Sequence, residues 1–218
     1  MQETLRQKKS RLEKIIHILE ETYPDAKCAL HFKNVFQLFV AVVLSAQSTD
    51  KQINKLTPRL FRELPDAKAF AKVPIEKIEN LIYSSGFYKN KAKNLKAATK
   101  MILEQFDGKF PETMENILKL PGAGRKTANV ILETGFHKIE GVVVDTHVLR
   151  IAKLLDLISK DSYGNAIKVE KELQKLLLKE KWGIFPHLMI LHGRNICIAR
   201  RPKCHQCPIV HLCPGRKF

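Results

Sequence analysis

Leu120-Pro121-Gly122-Ala123-Gly124-Arg125-Lys126-Thr127-Ala128 is the stretch on which the reading of this chain turns. It lies between two helical patterns, Met114 to Leu120 before it and Arg125 to Thr134 after it, with Gly135 expected as the stop of the second. Gly122 and Gly124 allow backbone angles and a closeness of approach that other residues forbid. The turn delivers the chain into a helix N-terminus, whose free N–H groups and positive dipole end suit a phosphate. A P-loop is excluded on two grounds. It needs Gly directly before the Lys, where Arg125 stands, and a strand before the turn, where a helix is predicted. What remains is either a plain corner between two helices or a clamp for a nucleic-acid backbone.

Charge favours the clamp. The 218 residues hold 38 Lys and Arg against 22 Asp and Glu, a net +16, and such an excess attracts polyanions. Lysine is also a common solubilising residue, so charge alone leaves the partner open.

Away from the turn the apolar spacing is helical nearly everywhere. Leu12, Ile15, Ile16 and Leu19 form one stripe; Ile53, Leu56, Leu60 and Phe61 form another, closed by Pro65. Ile75, Ile78, Leu81 and Ile82 form a third, stopped by Ser84-Ser85-Gly86. Val35 to Ala46 is apolar almost all round and predicts a buried central helix. Further helices are predicted over Ala92 to Phe106, over Thr146 to Leu157 with Asp145 as N-cap, around Val169, Leu173, Leu176 and Leu177, and over Pro186 to Ala199. Gly141 to Val144 has the composition of a short strand, but a single run makes no sheet. The expected class is all-α. Met1 to Lys14 has no apolar core of the kind a signal peptide carries, and the longest apolar run, Leu38 to Leu44, is too short to span a bilayer. The expectation is an intracellular chain with reduced thiols.

Cys197, Cys204, Cys207 and Cys213 are separated by six, two and five residues. Crowded into the C-terminal end of such a chain, they point to metal binding and away from disulfides. Zinc sites usually show two close pairs, and only Cys204 and Cys207 are close here; four thiolates also suit an iron–sulfur cube. Arg194, Arg200, Arg201 and Lys203 surround these cysteines, to offset cluster charge or to contact phosphates. Cys28 is left over and expected to be buried.

Taken together, the hairpin, Val144-Asp145-Thr146-His147 downstream of it, and Leu44-Ser45-Ala46-Gln47-Ser48-Thr49-Asp50 resemble the helix-hairpin-helix base-excision DNA glycosylases, in particular the endonuclease III family. The likeness runs from about Leu12 to the last cysteine, whose spacing matches the four-iron, four-sulfur loop of that family. The resemblance implies two helical domains with a DNA cleft between them. One would span 28–135, with the hairpin at about 112–135; the other would join 1–27 to 136–218 and carry the cluster loop, 197–213. It further implies a bifunctional glycosylase and AP lyase that removes oxidised pyrimidines and cuts the strand by β-elimination.

In that scheme Lys126 is the nucleophile. The chemistry needs an amine that is neutral when it attacks, and Arg125, the positive helix end and burial in a pocket would each disfavour an ammonium. Spacing alone leaves a phosphate-binding surface lysine equally open. Asp145 would be the essential carboxylate, stabilising positive charge on the sugar or assisting proton transfer, and its role as a helix cap can coexist with this. Gln47 and Phe87 match positions that enter the duplex, although most relatives carry an aliphatic residue at the second, and ordinary core packing is the alternative for Phe87. Gly122, Gly124 and Arg125 would contact the DNA backbone, with His147 as a structural or phosphate-contacting residue. The implied cofactor is one 4Fe-4S cluster on Cys197, Cys204, Cys207 and Cys213. The implied partner is double-stranded DNA with damaged bases or abasic sites, bound by a monomer that works in the cytoplasm at the nucleoid, without a membrane. Two rivals stand beside this. A mismatch glycosylase of the same fold typically lacks the lysine at position 126. A non-catalytic DNA-binding or redox-sensing protein has no use for Lys126 and Asp145 together.

Overall fold

The structure, a computed structural model, describes residues 3–216. Eleven α-helices run through them in chain order: α1 Leu5–Thr22, α2 Val35–Ser45, α3 Asp50–Glu63, α4 Ala67–Lys72, α5 Ile75–Ile82, α6 Tyr88–Gln105, α7 Met114–Lys119, α8 Arg125–Phe136, α9 Thr146–Leu154, α10 Ala166–Leu176 and α11 Ile184–Asn195. Short 3-10 turns lie between some of them. Among the described residues no strand forms. Gly141 to Val144 has no partner strand and runs as irregular chain, its first three residues buried.

The contacts divide the chain into two units, 29–140 and 1–28 with 141–218. In the unit 29–140, α2 is central because its sequence has no polar face. Leu38, Phe39, Val40, Ala41 and Leu44 are fully buried, and α3, α6 and α8 pack round the helix. The buried Gln37 is satisfied at both ends of its amide, accepting from the Lys33 N–H and donating to the Pro65 carbonyl. Gly135 does not stop α8, which continues to Phe136 and ends at His137 with φ 55. A Cβ at Gly135 would stand 3.2 Å from side-chain atoms of Val35 and Leu38, so this glycine lets α8 lie close against α2. The short α4 escapes a periodicity test, which needs more than its six residues. Its C-terminal carbonyls at Phe70 and Ala71 accept from Lys96 Nζ of α6.

In the other unit the stripe Leu12, Ile15, Ile16 and Leu19 of α1 buries against residues of α9, α10 and α11. Helix α9 is shorter than its apolar pattern: it ends at Leu154, and Asp156 takes φ 51 so that the Leu157 N–H donates back to the Ala152 carbonyl. Helix α11 ends at Asn195, before the cysteine segment, whose Cys197 N–H donates to the His192 carbonyl.

Candidate functional site

The hairpin forms between α7 and α8. The Ala123 N–H donates to the Leu120 carbonyl at 3.0 Å, and Gly122 takes φ +85, where a side chain would be strained and a Cβ would press Asn94 of α6 at 3.2 Å. Gly124 is different. Its φ of −88 is open to any residue and a Cβ there would meet nothing within 4 Å. The expectation that both glycines are needed for backbone angles therefore holds for Gly122 only. Gly124 is the N-cap of α8 and, having no side chain, gives no capping bond to the first amides of this twelve-residue helix. Arg125 is half-buried at the first position of α8, and Lys126 beside it is exposed.

Gln47 and Phe87 stand on two exposed turns of the same unit. The Ser48 N–H donates to the Ser45 carbonyl across the first turn, which holds Gln47 at φ 55. Phe87 caps α6 at φ 48 and is 65% exposed, which removes core packing as its role. Between these turns lies a residue that the sequence reading missed. Lys91 of α6 is buried, and its Nζ donates to the Leu44 carbonyl at 2.8 Å and the Ser85 carbonyl at 2.7 Å. Burial lowers its pKa from the usual lysine value.

Asp145 lies in the unit that holds α9. It is half-buried and caps that helix through one oxygen: Oδ1 accepts from the His147 N–H at 2.9 Å and the Val148 N–H at 2.8 Å. His147 is half-buried against α11; a Cβ on Gly193 would come within 2.5 Å of its Nδ1, so α9 and α11 approach at a position only glycine allows.

Cys197, Cys204, Cys207 and Cys213 line one cavity of about 250 Å³ in this same unit, and all four are thiols. Among the described residues no three Cys, His, Asp or Glu side chains converge on a point that could hold one metal ion. Four thiols lining one space suit the ligand set of an iron–sulfur cube. Burial raises the Cys207 thiol to about 11 and pushes up those of Cys197 and Cys213. Bound iron would offset that cost by taking the thiolate charge. Arg150, missed in the sequence, opposes burial at Cys197 and donates from Nη2 to the Cys197 carbonyl at 2.6 Å. The buried His192 lies against the same wall, Nε2 3.6 Å from Cys207 Sγ. The segment is stitched down at its far end, where the Gly215 N–H donates to the Leu154 carbonyl and Arg11 Nη1 to the Leu212 carbonyl. Arg200, Arg201 and Lys203 are exposed around it, and Cys28, expected to be buried, is half-buried and distant in sequence from the cavity.

A family model described as HhH-GPD superfamily base excision DNA repair protein matches residues 40–179, and one for the iron–sulfur binding domain of endonuclease III matches residues 197–213. Endonuclease III of Synechocystis is 46% identical over 208 residues, covering 95% of this chain and 94% of the relative. A solved non-covalent endonuclease III–DNA complex superposes with a TM-score of 0.89 at 40% identity, covering 95% of both chains. A trapped endonuclease III–DNA covalent intermediate gives the same score and identity, covering 95% of this chain and 96% of that one. Among the described residues no helix is long and apolar enough to cross a membrane.

Proposed function

Because the chain belongs to the endonuclease III family of the HhH-GPD superfamily, we propose that it excises oxidised pyrimidines from double-stranded DNA and then cuts the strand at the abasic site, with Lys126 as nucleophile. The observation that carries this reading is the hairpin: a glycine N-cap that gives the first amides of α8 no capping side chain, with Lys126 at the second position of that helix. A phosphate received by those amides sets the strand beside the amine. The Lys126 amine attacks C1′ of the damaged nucleotide and the bond from C1′ to the base breaks, the base leaving with one Nζ proton. Protonation of O4′ then breaks the C1′–O4′ bond, which opens the sugar ring and leaves a protonated iminium joining Nζ to C1′. Loss of a C2′ proton then expels the 3′ phosphate, and water releases the sugar from the lysine. Since Lys126 is exposed in the free protein, the extruded nucleotide itself supplies the desolvation that the amine needs. Asp145 stabilises the positive charge that develops on the sugar. Gln47 and Phe87 enter the duplex and fill the gap left by the extruded base; Gly122, Gly124 and Arg125 hold the backbone. The enzyme acts as a monomer at the nucleoid.

The direct test is a duplex carrying one oxidised pyrimidine, followed for free base and for strand breaks. Base release and nicking are expected to rise together. Free base with an intact strand would make the enzyme monofunctional and remove the nucleophile from Lys126.

Cys197, Cys204, Cys207 and Cys213 hold one four-iron, four-sulfur cluster, which supplies no bond-breaking chemistry and serves to fix the C-terminal segment. Purified protein should contain about four irons with matching sulfide. Cys204→Ser should lose most of that iron and much of its solubility, because the segment's fold depends on the metal. Stoichiometric zinc without iron in anaerobically prepared protein would reject the cluster.

A further inference from the structure

Lys91 has no place in the chemistry above, yet the residue is only 5% exposed in the unit 29–140. A buried lysine needs a reason. Its two acceptors are far apart in sequence and lie at the roots of two different turns. Leu44 belongs to the last turn of α2, three residues before Gln47, and Ser85 lies two residues before Phe87. Both turn tips hold a non-glycine residue in the left-handed region, Gln47 at φ 55 and Phe87 at φ 48. Such conformations persist only where the surroundings enforce them. A second tie runs between the same two segments: Gln52 Nε2 donates to the Ser84 carbonyl at 3.3 Å, while the Gln52 N–H donates to Thr49. Around the second turn, Tyr83 and Tyr88 pack with their ring centroids 4.8 Å apart and their planes tilted by 51°.

We propose that Lys91 is a positioning residue that locks the Gln47 turn and the Phe87 turn into one rigid unit, so that the two side chains enter the duplex together. The ammonium donates two charge-assisted bonds to helix-end and turn carbonyls, a role suited to a cation at the negative end of α2. A two-pronged wedge must hold both prongs at a fixed separation, since each inserted alone leaves part of the gap to water. The inference rests on the duplex-entry role proposed for Gln47 and Phe87.

The experiment reads the fluorescence of 2-aminopurine placed opposite a tetrahydrofuran abasic analogue, a duplex that the enzyme binds but cannot cut. Saturating protein should unstack the probe. Gln47→Ala and Phe87→Ala should each remove most of that signal, and the double variant should lose little more, because one prong without the other inserts poorly. Lys91→Met, assayed well below its melting temperature, should lower the signal about fivefold while affinity for undamaged duplex and iron content stay unchanged. Lys91→Arg, which keeps a charged donor, should recover part of it. If neither Gln47→Ala nor Phe87→Ala changes the signal, the duplex-entry role itself fails. If both lower it but Lys91→Met keeps the full signal, only the role of Lys91 fails. Should Lys91→Met not fold, the Gln47 and Phe87 cycle decides in the unaltered background: losses that simply multiply would show two independent prongs and overturn the proposal.

Discussion

Lys126→Gln is expected to form no borohydride-stable adduct with an abasic-site duplex and to lose strand cleavage by at least about a thousandfold. Glutamine keeps a polar chain of similar length but offers no amine to C1′. The variant should fold as before, since Lys126 is exposed, and surface changes of this kind usually shift stability by less than about 0.5 kcal/mol. It should also bind an abasic-site duplex within a few-fold of the parent. The glycine-capped start of α8 and the wider positive charge, +16 over the chain, remain in place. The assay is a gel shift of covalent complex after borohydride, beside a binding isotherm at the same salt. Retained trapping would move the nucleophile to another amine. Lost trapping together with lost binding would return Lys126 to a phosphate contact.

The parts of this molecule that were legible in its sequence are those in which chemistry and spacing agree. The stripe at Leu12, Ile15, Ile16 and Leu19 predicts a helix with one buried face because apolar residues at those intervals share that face, and α1 buries those four residues. Val35 to Ser45 forms a central helix because it has no polar side to show to water. Asp145 is legible as a cap because it precedes the apolar pattern of α9 directly. The misses have a common cause: they depend on what lies opposite in space. Gly135 looks like a helix stop in sequence and is a point of close contact with Val35 and Leu38. Lys91 sits in a basic stretch with Lys89, Lys93 and Lys96, and nothing in that run marks the one whose ammonium meets two buried carbonyls. Arg150 and His192 read as ordinary helix residues until α9 and α11 bring them to the cysteine cavity. Lys126 is exposed in the chain without DNA, and no pattern in the sequence sets it apart from a surface lysine.

Asp145→Asn and Asp145→Ala, compared with each other, separate the two tasks of that carboxylate. Both capping amides fall on Oδ1, at 2.9 and 2.8 Å, so the amide oxygen of asparagine can receive them in the same place. Asn should therefore keep the stability of α9, whereas Ala loses the cap and about 1 kcal/mol with it. Activity should follow a different order. If the carboxylate stabilises charge on the sugar, removing that charge costs the same whether or not the cap survives, and base release should slow by about a thousandfold in both variants. Binding of damaged duplex should persist or tighten in Asn, because an anion beside the sugar–phosphate backbone has gone. Single-turnover base release, thermal unfolding and duplex affinity measured on both proteins complete the test. Normal turnover in Asn, with slowed turnover and lower stability in Ala, would leave Asp145 as a helix cap alone. Equal slowing in both with stability lost only in Ala would assign it a part in the reaction that capping does not explain.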